Sequence, residues 1–90
     1  ALHFASRHGY LEVVQLLLEK GADADAKDKG GYTALHMASQ EGHLEVVRLL
    51  LDKGADMNTK NEDGMTALLF ASQGGHLEMV RLLLEKGADT

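Results

Sequence analysis

The fold of this chain is decided by residues 33–54, which read TALHMASQEGHLEVVRLLLDKG. Thr33 can cap a helix because its hydroxyl accepts hydrogen bonds from the free amides of a first helical turn. Gly42 and Gly54 are placed to end two helices, since glycine adopts the left-handed conformation at a helix C-terminus without strain. The stretch therefore predicts two short helices, one ending before Gly42 and the other before Gly54.

The second of these predicted helices is apolar around most of its circumference. Its polar residues Glu45, Arg48 and Asp52 are spaced three and four apart, so they form one narrow stripe on the helix surface. A helix with so wide an apolar arc must be covered on more than one side. The first helix of its own unit can cover one side only, so the pattern indicates that flanking units cover the rest.

The same arrangement returns every 33 residues. The interval separates Gly9, Gly42 and Gly75, and it also separates Leu16, Leu49 and Leu82. A fixed period of this size is typical of a stack of small units that share a core with their neighbours. We predict one domain, 1–90, built from units of about 1–32, 33–65 and 66–90.

The segments between the helix pairs are rich in Asp, Asn, Lys and Gly. They span 22–32 and 55–65, and the pairs Gly30-Gly31 and Asp63-Gly64 are turn signals that allow positive φ. Each segment is predicted to project from the stack as a β-turn or a short hairpin.

The repeated unit resembles the ankyrin repeat. Three segments carry the resemblance: TALHxA from Thr33, GHLEVV from Gly42 and GADxN from Gly54. It implies an all-α solenoid of three helix–turn–helix repeats with two projecting loops. It also implies a protein–protein interaction module that uses a groove of loop tips and first helices. The chain departs from the family pattern at Ala34 and Ala67, where the family has Pro, and at Leu69, where it has His.

Composition excludes several other classes of protein. The formal net charge is −5 and the nine basic residues form no run, so neither a nucleic-acid partner nor an anionic membrane surface is expected. The apolar stretches are a few residues long, whereas a membrane span needs about 20 apolar residues, so no membrane segment is expected. The absence of cysteine leaves the redox compartment undetermined.

No catalytic, cofactor or metal site emerges from the polar residues. His3 and His36 are repeat equivalents and should lie about 8–10 Å apart, whereas zinc needs all its ligand atoms at about 2.0–2.1 Å from one centre. Histidines at these positions are more simply explained by hydrogen bonds to a neighbouring turn. Ser6, Ser39 and Ser72 are interpreted as small packing residues. We expect no enzyme and no cofactor.

The groove implied by the resemblance predicts a set of partner-contacting residues. They belong to the loops that end each unit and to the last turns of the first helices. Tyr32 and its equivalent Met65 stand out, because large adaptable side chains suit binding surfaces. The predicted contact residues are Arg7, His8, Lys29, Tyr32, Gln40, Glu41, Glu62, Asp63, Met65 and Gln73.

Two other functions stay open at this point. The repeats could be a structural spacer within a larger protein, or an engineered repeat scaffold, since near-identical repeats are unusually designable. Weak head-to-tail self-association is also expected, because terminal units have a neighbour on one side only. The residues expected to be left bare are Leu2, Phe4 and Val13 at one end, and Phe70, Met79 and Leu83 at the other.

Overall fold

The computed structural model describes residues 1–88, which form six α-helices and no β-strand. The bounds are α1 Leu2–His8, α2 Leu11–Glu19, α3 Ala34–Glu41, α4 Leu44–Asp52, α5 Ala67–Gln73 and α6 Leu77–Glu85. The first helices α1, α3 and α5 pack side by side in one row, and each packs against the second helix of its own pair. This order confirms the predicted all-α solenoid of three helix pairs.

The second and third pairs each begin with a threonine cap. Thr33 has an extended backbone, and its Oγ1 accepts from the His36 amide at 3.3 Å. The His36 ring returns the bond, because its Nδ1 accepts from the Thr33 amide at 2.9 Å. Thr66 caps α5 by accepting from the Leu69 amide at 3.3 Å, but the apolar Leu69 side chain returns no bond. The predicted cap at Thr33 is confirmed, and it is a reciprocal one.

Left-handed glycines end the helices of the middle pair as predicted. Gly42 closes α3 with φ 77°, and Gly54 follows the last turn of α4 with φ 90°. At both positions any other residue would bring its Cβ too close to the following carbonyl oxygen.

The core lies between the row of first helices and the second helices behind it. In α4, Val46, Val47 and Leu50 are buried, whereas Glu45 and Arg48 are exposed. Fully burying one such aliphatic side chain contributes about 1.5–3 kcal/mol to folding. The wide apolar arc of the second helix is therefore covered as the sequence predicted.

The connecting loops are tight turns. The Asp28 amide donates to the Tyr32 carbonyl at 2.9 Å, and the Gly31 amide donates to the Asp28 carbonyl at 3.0 Å. The second loop repeats both bonds between Asn61 and Met65 and between Gly64 and Asn61. Because residues 1–88 contain no strand, the structure selects the β-turn and not the hairpin of paired strands.

The prediction of exposed apolar residues at the two ends of the stack is partly wrong. Phe4 and Val13 are exposed as predicted, but Phe70 and Met79 are buried. Phe70 and Met79 are the repeat equivalents of Phe4 and Val13, so they point in the same direction along the stack. A position left bare at the first unit is therefore covered by the preceding unit at the third. Leu2 and Leu83 are also buried, within the core shared by the helix pairs.

The packing role expected of the serines holds for two of the three. Ser6 and Ser39 are fully buried, but Ser72 is exposed and its Oγ donates to the Leu68 carbonyl at 2.8 Å. Within residues 1–88, no helix of a following unit packs over Ser72.

Candidate partner-binding surface

The predicted contact residues fall into two regions of the surface. We call the first the loop tips, formed by Lys29, Glu62 and Asp63 with Tyr32 and Met65 at the loop bases. We call the second the end turns, the last turns of the first helices, with Arg7, His8, Gln40, Glu41 and Gln73. All ten are exposed except Tyr32 and Met65, which are half-buried.

The two loop tips meet in one polar cleft of about 350 Å³, which we call the loop-tip pocket. It brings together Lys29 and Glu62, two predicted contact residues from different units. Two further lysines, Lys27 and Lys60, were missed by the sequence analysis, although their 33-residue separation marks them as a repeated pair. The remaining lining residues are Asp28, Gly31 and Asn61.

Each loop tip is held in shape by one side chain. The Oδ1 of Asp28 accepts from the amides of Gly30 and Tyr32, both at 2.9 Å. The Oδ1 of its repeat equivalent Asn61 accepts from the amides two and four residues later, again at 2.9 Å. Such Asx turns fix the backbone without needing a strand partner.

The two loops are also tied to each other. The Glu62 amide donates to the Gly30 carbonyl at 3.0 Å. Gly31 sits so close to the second loop that a Cβ there would lie 3.1 Å from the Glu62 nitrogen and 3.2 Å from the Asn61 Cα. Gly31 also has φ 80°, so glycine is required at this contact for two reasons. The loop tips therefore form one continuous surface.

Tyr32 supports the framework as well as lining the surface. Its ring lies 5.5 Å from the ring of Phe70 in α5 and 6.0 Å from that of His36 in α3. Aromatic pairs at such distances contribute about 0.5–1.5 kcal/mol beyond the area they bury. The base of the first loop is thus fixed to the row of first helices.

Two repeated histidines tie the first helix of a unit to the loop that ends the same unit, through backbone carbonyls. The Nε2 of His36 donates to the carbonyls of Thr59 at 2.9 Å and Met65 at 3.0 Å. His3 bonds in the same way to the Tyr32 carbonyl at 2.9 Å. These contacts confirm the interpretation of the repeated histidines as ties to a neighbouring turn.

The ring of His36 is held neutral by its surroundings. Burial lowers its pKa below the ordinary 6.5, and hydrogen bonds to the carbonyls of Thr59 and Met65 oppose that shift. Because Nδ1 accepts from the Thr33 amide, a second proton on the ring would also break the cap of α3. The structure therefore favours one tautomer, with the proton on Nε2.

A second set of histidines joins the units at the end turns. His43 Nε2 donates to the Arg7 carbonyl at 2.9 Å, and His76 Nε2 donates to the Gln40 carbonyl at 3.2 Å. These contacts use the backbone of Arg7 and Gln40, so their side chains stay exposed to solvent. Within the described residues none of the end-turn residues lines the loop-tip pocket, so the predicted set forms two separate patches.

His8 belongs to an exposed aromatic cluster on the first unit. Its ring lies 4.4 Å from that of Phe4 and 5.7 Å from that of Tyr10. Both neighbours are at least half exposed. The sequence predicts His8 as a contact residue but not this cluster, because Phe4 and Tyr10 come together only through the turn between α1 and α2.

Residues 1–88 hold no group of three or more acidic or histidine side chains that could bind a metal ion. No helix in that part of the chain is long and apolar enough to cross a membrane. The outer stripes of α4 and α6 carry exposed ion pairs, Glu45 with Arg48 at 3.6 Å and Glu78 with Arg81 at 3.8 Å.

Comparison with known proteins gives two findings. A family model of ankyrin repeats, in three copies, matches residues 2–90. The chain is also 54% identical, over 33 residues, to a probable E3 ubiquitin-protein ligase, XBOS33, from Oryza sativa subsp. japonica. That match covers 37% of this chain and 6% of the rice protein.

Proposed function

Because the chain belongs to the ankyrin repeat family, whose members are generally protein–protein interaction modules, we propose that it binds a protein partner through the loop tips and the end turns. The family is typically non-enzymatic, and we extend that expectation to this chain. The match to the rice ligase covers one repeat length, so it supports an interaction role and not ligase activity.

The observation that carries the proposal is the tie between the two loops. The bond from the Glu62 amide to the Gly30 carbonyl and the two Asx turns hold the tips in one arrangement before any partner arrives. A preorganised surface loses little conformational entropy on binding, so more of its contact energy appears as affinity.

The charges of the loop tips define the kind of partner. Lys27, Lys29 and Lys60 line the loop-tip pocket together with Asp28 and Glu62, so both signs alternate within one cleft. The chain as a whole has a formal net charge of −5, so these three clustered lysines differ from its overall charge. We expect a partner segment that presents an acidic side chain to the lysines beside polar groups that pair with Glu62.

A peptide-display selection on the immobilised chain tests the proposal. Selected peptides should bind a Lys29→Ala, Glu62→Ala variant at least about tenfold more weakly, a loss of about 1.4 kcal/mol. Arg48→Ala on the outer stripe of α4 is the control and should leave the affinity unchanged. Selected peptides that bind the double variant as tightly as the parent would overturn the proposed surface.

The loop bases, Tyr32 and Met65, are tested after the loop tips. A Tyr32→Ala, Met65→Ala variant should also lose partner affinity, but Tyr32 packs against His36 and Phe70, so part of the loss would come from a loosened loop. A circular dichroism melt of that variant separates the two causes.

A further inference from the structure

The loop-tip pocket is lined by a buried residue whose side-chain donor is unused. Asn61 is only 6% exposed, and its Nδ2 makes no hydrogen bond to any of residues 1–88. Its Oδ1 accepts from the amides of Asp63 and Met65, which fixes Nδ2 as the donor of the side-chain amide. A buried donor without a partner is unfavourable, so a ligand that supplies an acceptor is stabilised there.

This donor is not needed for the shape of the loop. Asp28, the equivalent of Asn61 in the first unit, accepts the same two bonds with a carboxylate oxygen. Asn61 lies against the first loop, since a Cβ on Gly31 would be 3.2 Å from its Cα. The Nδ2 donor is therefore surplus to the turn, and it belongs to a residue at the junction where the two loops form the pocket.

Three lysines line the same pocket without a paired carboxylate. Lys27 and Lys29 belong to the first loop and Lys60 to the second, and all three are exposed. The ion pairs within residues 1–88 involve none of them. Asp28 and Glu62 also line the pocket, but the Oδ1 of Asp28 is already occupied by two backbone amides. The pocket therefore offers more free donors than free acceptors.

A phosphate group matches this set of donors better than a carboxylate does. A phosphorylated side chain carries a charge of about −1.5 to −2 and three acceptor oxygens, whereas a carboxylate has one negative charge and two oxygens. The lining residues are all polar or glycine, so the pocket has no apolar wall for the ring of phosphotyrosine. The formal net charge of −5 disfavours a long polyanion such as a nucleic acid.

We propose that the loop-tip pocket binds a phosphoserine of the protein partner, whose phosphate oxygens are held by the three lysines and by the Nδ2 of Asn61. The inference rests on the proposed function, and it specifies the acidic side chain expected there. Nδ2 is shielded from solvent before binding, so the flexible lysine side chains rearrange around the phosphate as it enters.

Three peptide libraries test the proposal on the unmodified chain. They share the same randomised flanks and differ at one central residue, which is phosphoserine, aspartate or serine. Phosphoserine peptides should bind at least about tenfold more tightly than their aspartate and serine counterparts. Equal binding of the phosphoserine and aspartate counterparts overturns the phosphate site and leaves the proposed function standing. Absence of binding from all three libraries overturns both.

Two variants test the position of the phosphate. Asn61→Asp removes the Nδ2 donor, and Asp28 shows that a carboxylate holds the same turn. Lys60→Gln removes one charge at an exposed position. Each should weaken binding of the selected phosphoserine peptides at least about tenfold, and unchanged affinity in either overturns the site. Lys53→Gln is the matched control; it removes the same charge outside the pocket and should bind like the parent.

Two further probes identify the source of the phosphate. Inorganic phosphate should displace a selected phosphoserine peptide only in at least about a hundredfold excess, because the flanking residues add contacts. Displacement at equal concentration would mean that the ligand is the free ion, and it overturns the proposal. A single-stranded oligonucleotide that binds more tightly than the peptide overturns it as well. Circular dichroism checks that Asn61→Asp folds, and if it does not, Lys60→Gln alone decides the site.

Discussion

The second and third repeats have almost the same sequence, yet they sit in different surroundings. Thr33 and Thr66 each accept a bond at 3.3 Å from the amide three residues later, but Thr33 is buried and Thr66 is half-buried. Ser39 is buried, whereas Ser72 is exposed. The local bonds depend on sequence within one unit, and burial depends on whether another unit follows.

Glycine substitutions give the largest expected difference between the two repeats. Gly42→Ala forces an Ala into φ 77° and drives its Cβ into the His76 ring, at 2.7 Å. Backbone strain costs about 1–2 kcal/mol, and the crowding adds about 1–3 kcal/mol. Gly75→Ala has a similar φ of 70° and open space around its Cβ, so only the strain applies. Urea unfolding of both variants measures the difference.

Equal losses in these two variants would mean that the His76 ring moves aside at no cost. A third variant identifies the cause: His76→Ala in the Gly42→Ala background should recover the crowding part of the loss and leave the strain.

Exchanging the equivalent residues His36 and Leu69 gives the next largest expected change in stability. His36→Leu removes the bonds to the carbonyls of Thr59 and Met65 and leaves the buried Thr33 amide without its acceptor. A buried donor left unsatisfied costs about 1–3 kcal/mol. The reverse change, Leu69→His, falls on an exposed position and should alter stability by less than about 0.5 kcal/mol. Thermal melts in which both variants match the parent would contradict the tie proposed for His36.

The low pKa of His36 predicts a smaller, pH-dependent effect. The unfolded chain binds a proton at this ring near pH 6.5, whereas the folded chain stays neutral to lower pH because the ring is buried. The unfolded state then holds more protons, so the free energy of unfolding decreases as the pH falls below about 6.5. The slope from one group is at most about 1.4 kcal/mol per pH unit. The free energies of unfolding of the parent and of His36→Leu should keep a constant difference above that pH and converge below it, and a difference that stays constant below about pH 6.5 as well would argue against the shift.

Much of the fold could be predicted because it rests on short-range chemistry repeated three times. The cap at Thr33 and the left-handed turn at Gly42 follow from a few neighbouring residues. The stripe of Glu45 and Arg48 shows which side of α4 meets solvent. None of these features depends on contacts with residues far away in the sequence.

The errors arose where contacts cross between units. From sequence alone, Phe4 and Phe70 are both predicted to be exposed. The two side chains point the same way along the stack, so the preceding unit covers Phe70 and leaves Phe4 exposed. Lys27 and Lys60 were missed for a related reason, since their shared pocket exists only once the two loops lie side by side. The ring contacts of Tyr32 also join residues of different units.

The smallest predicted effect concerns two ion pairs, each within a single helix. Their strength should not depend on whether a neighbouring unit packs on either side. Glu45 with Arg48 and Glu78 with Arg81 are exposed pairs within single helices, at 3.6 and 3.8 Å. Arg48→Ala and Arg81→Ala should each lower stability by about 0.2–0.5 kcal/mol, and high salt should shrink both losses because it screens exposed charges. Paired urea titrations at low and high salt measure this. A clearly larger loss for Arg48→Ala than for Arg81→Ala would mean that the outer stripe of α4 contacts a neighbouring unit. The stability of this ion pair would then depend on the neighbouring units as well as on the sequence of its own helix.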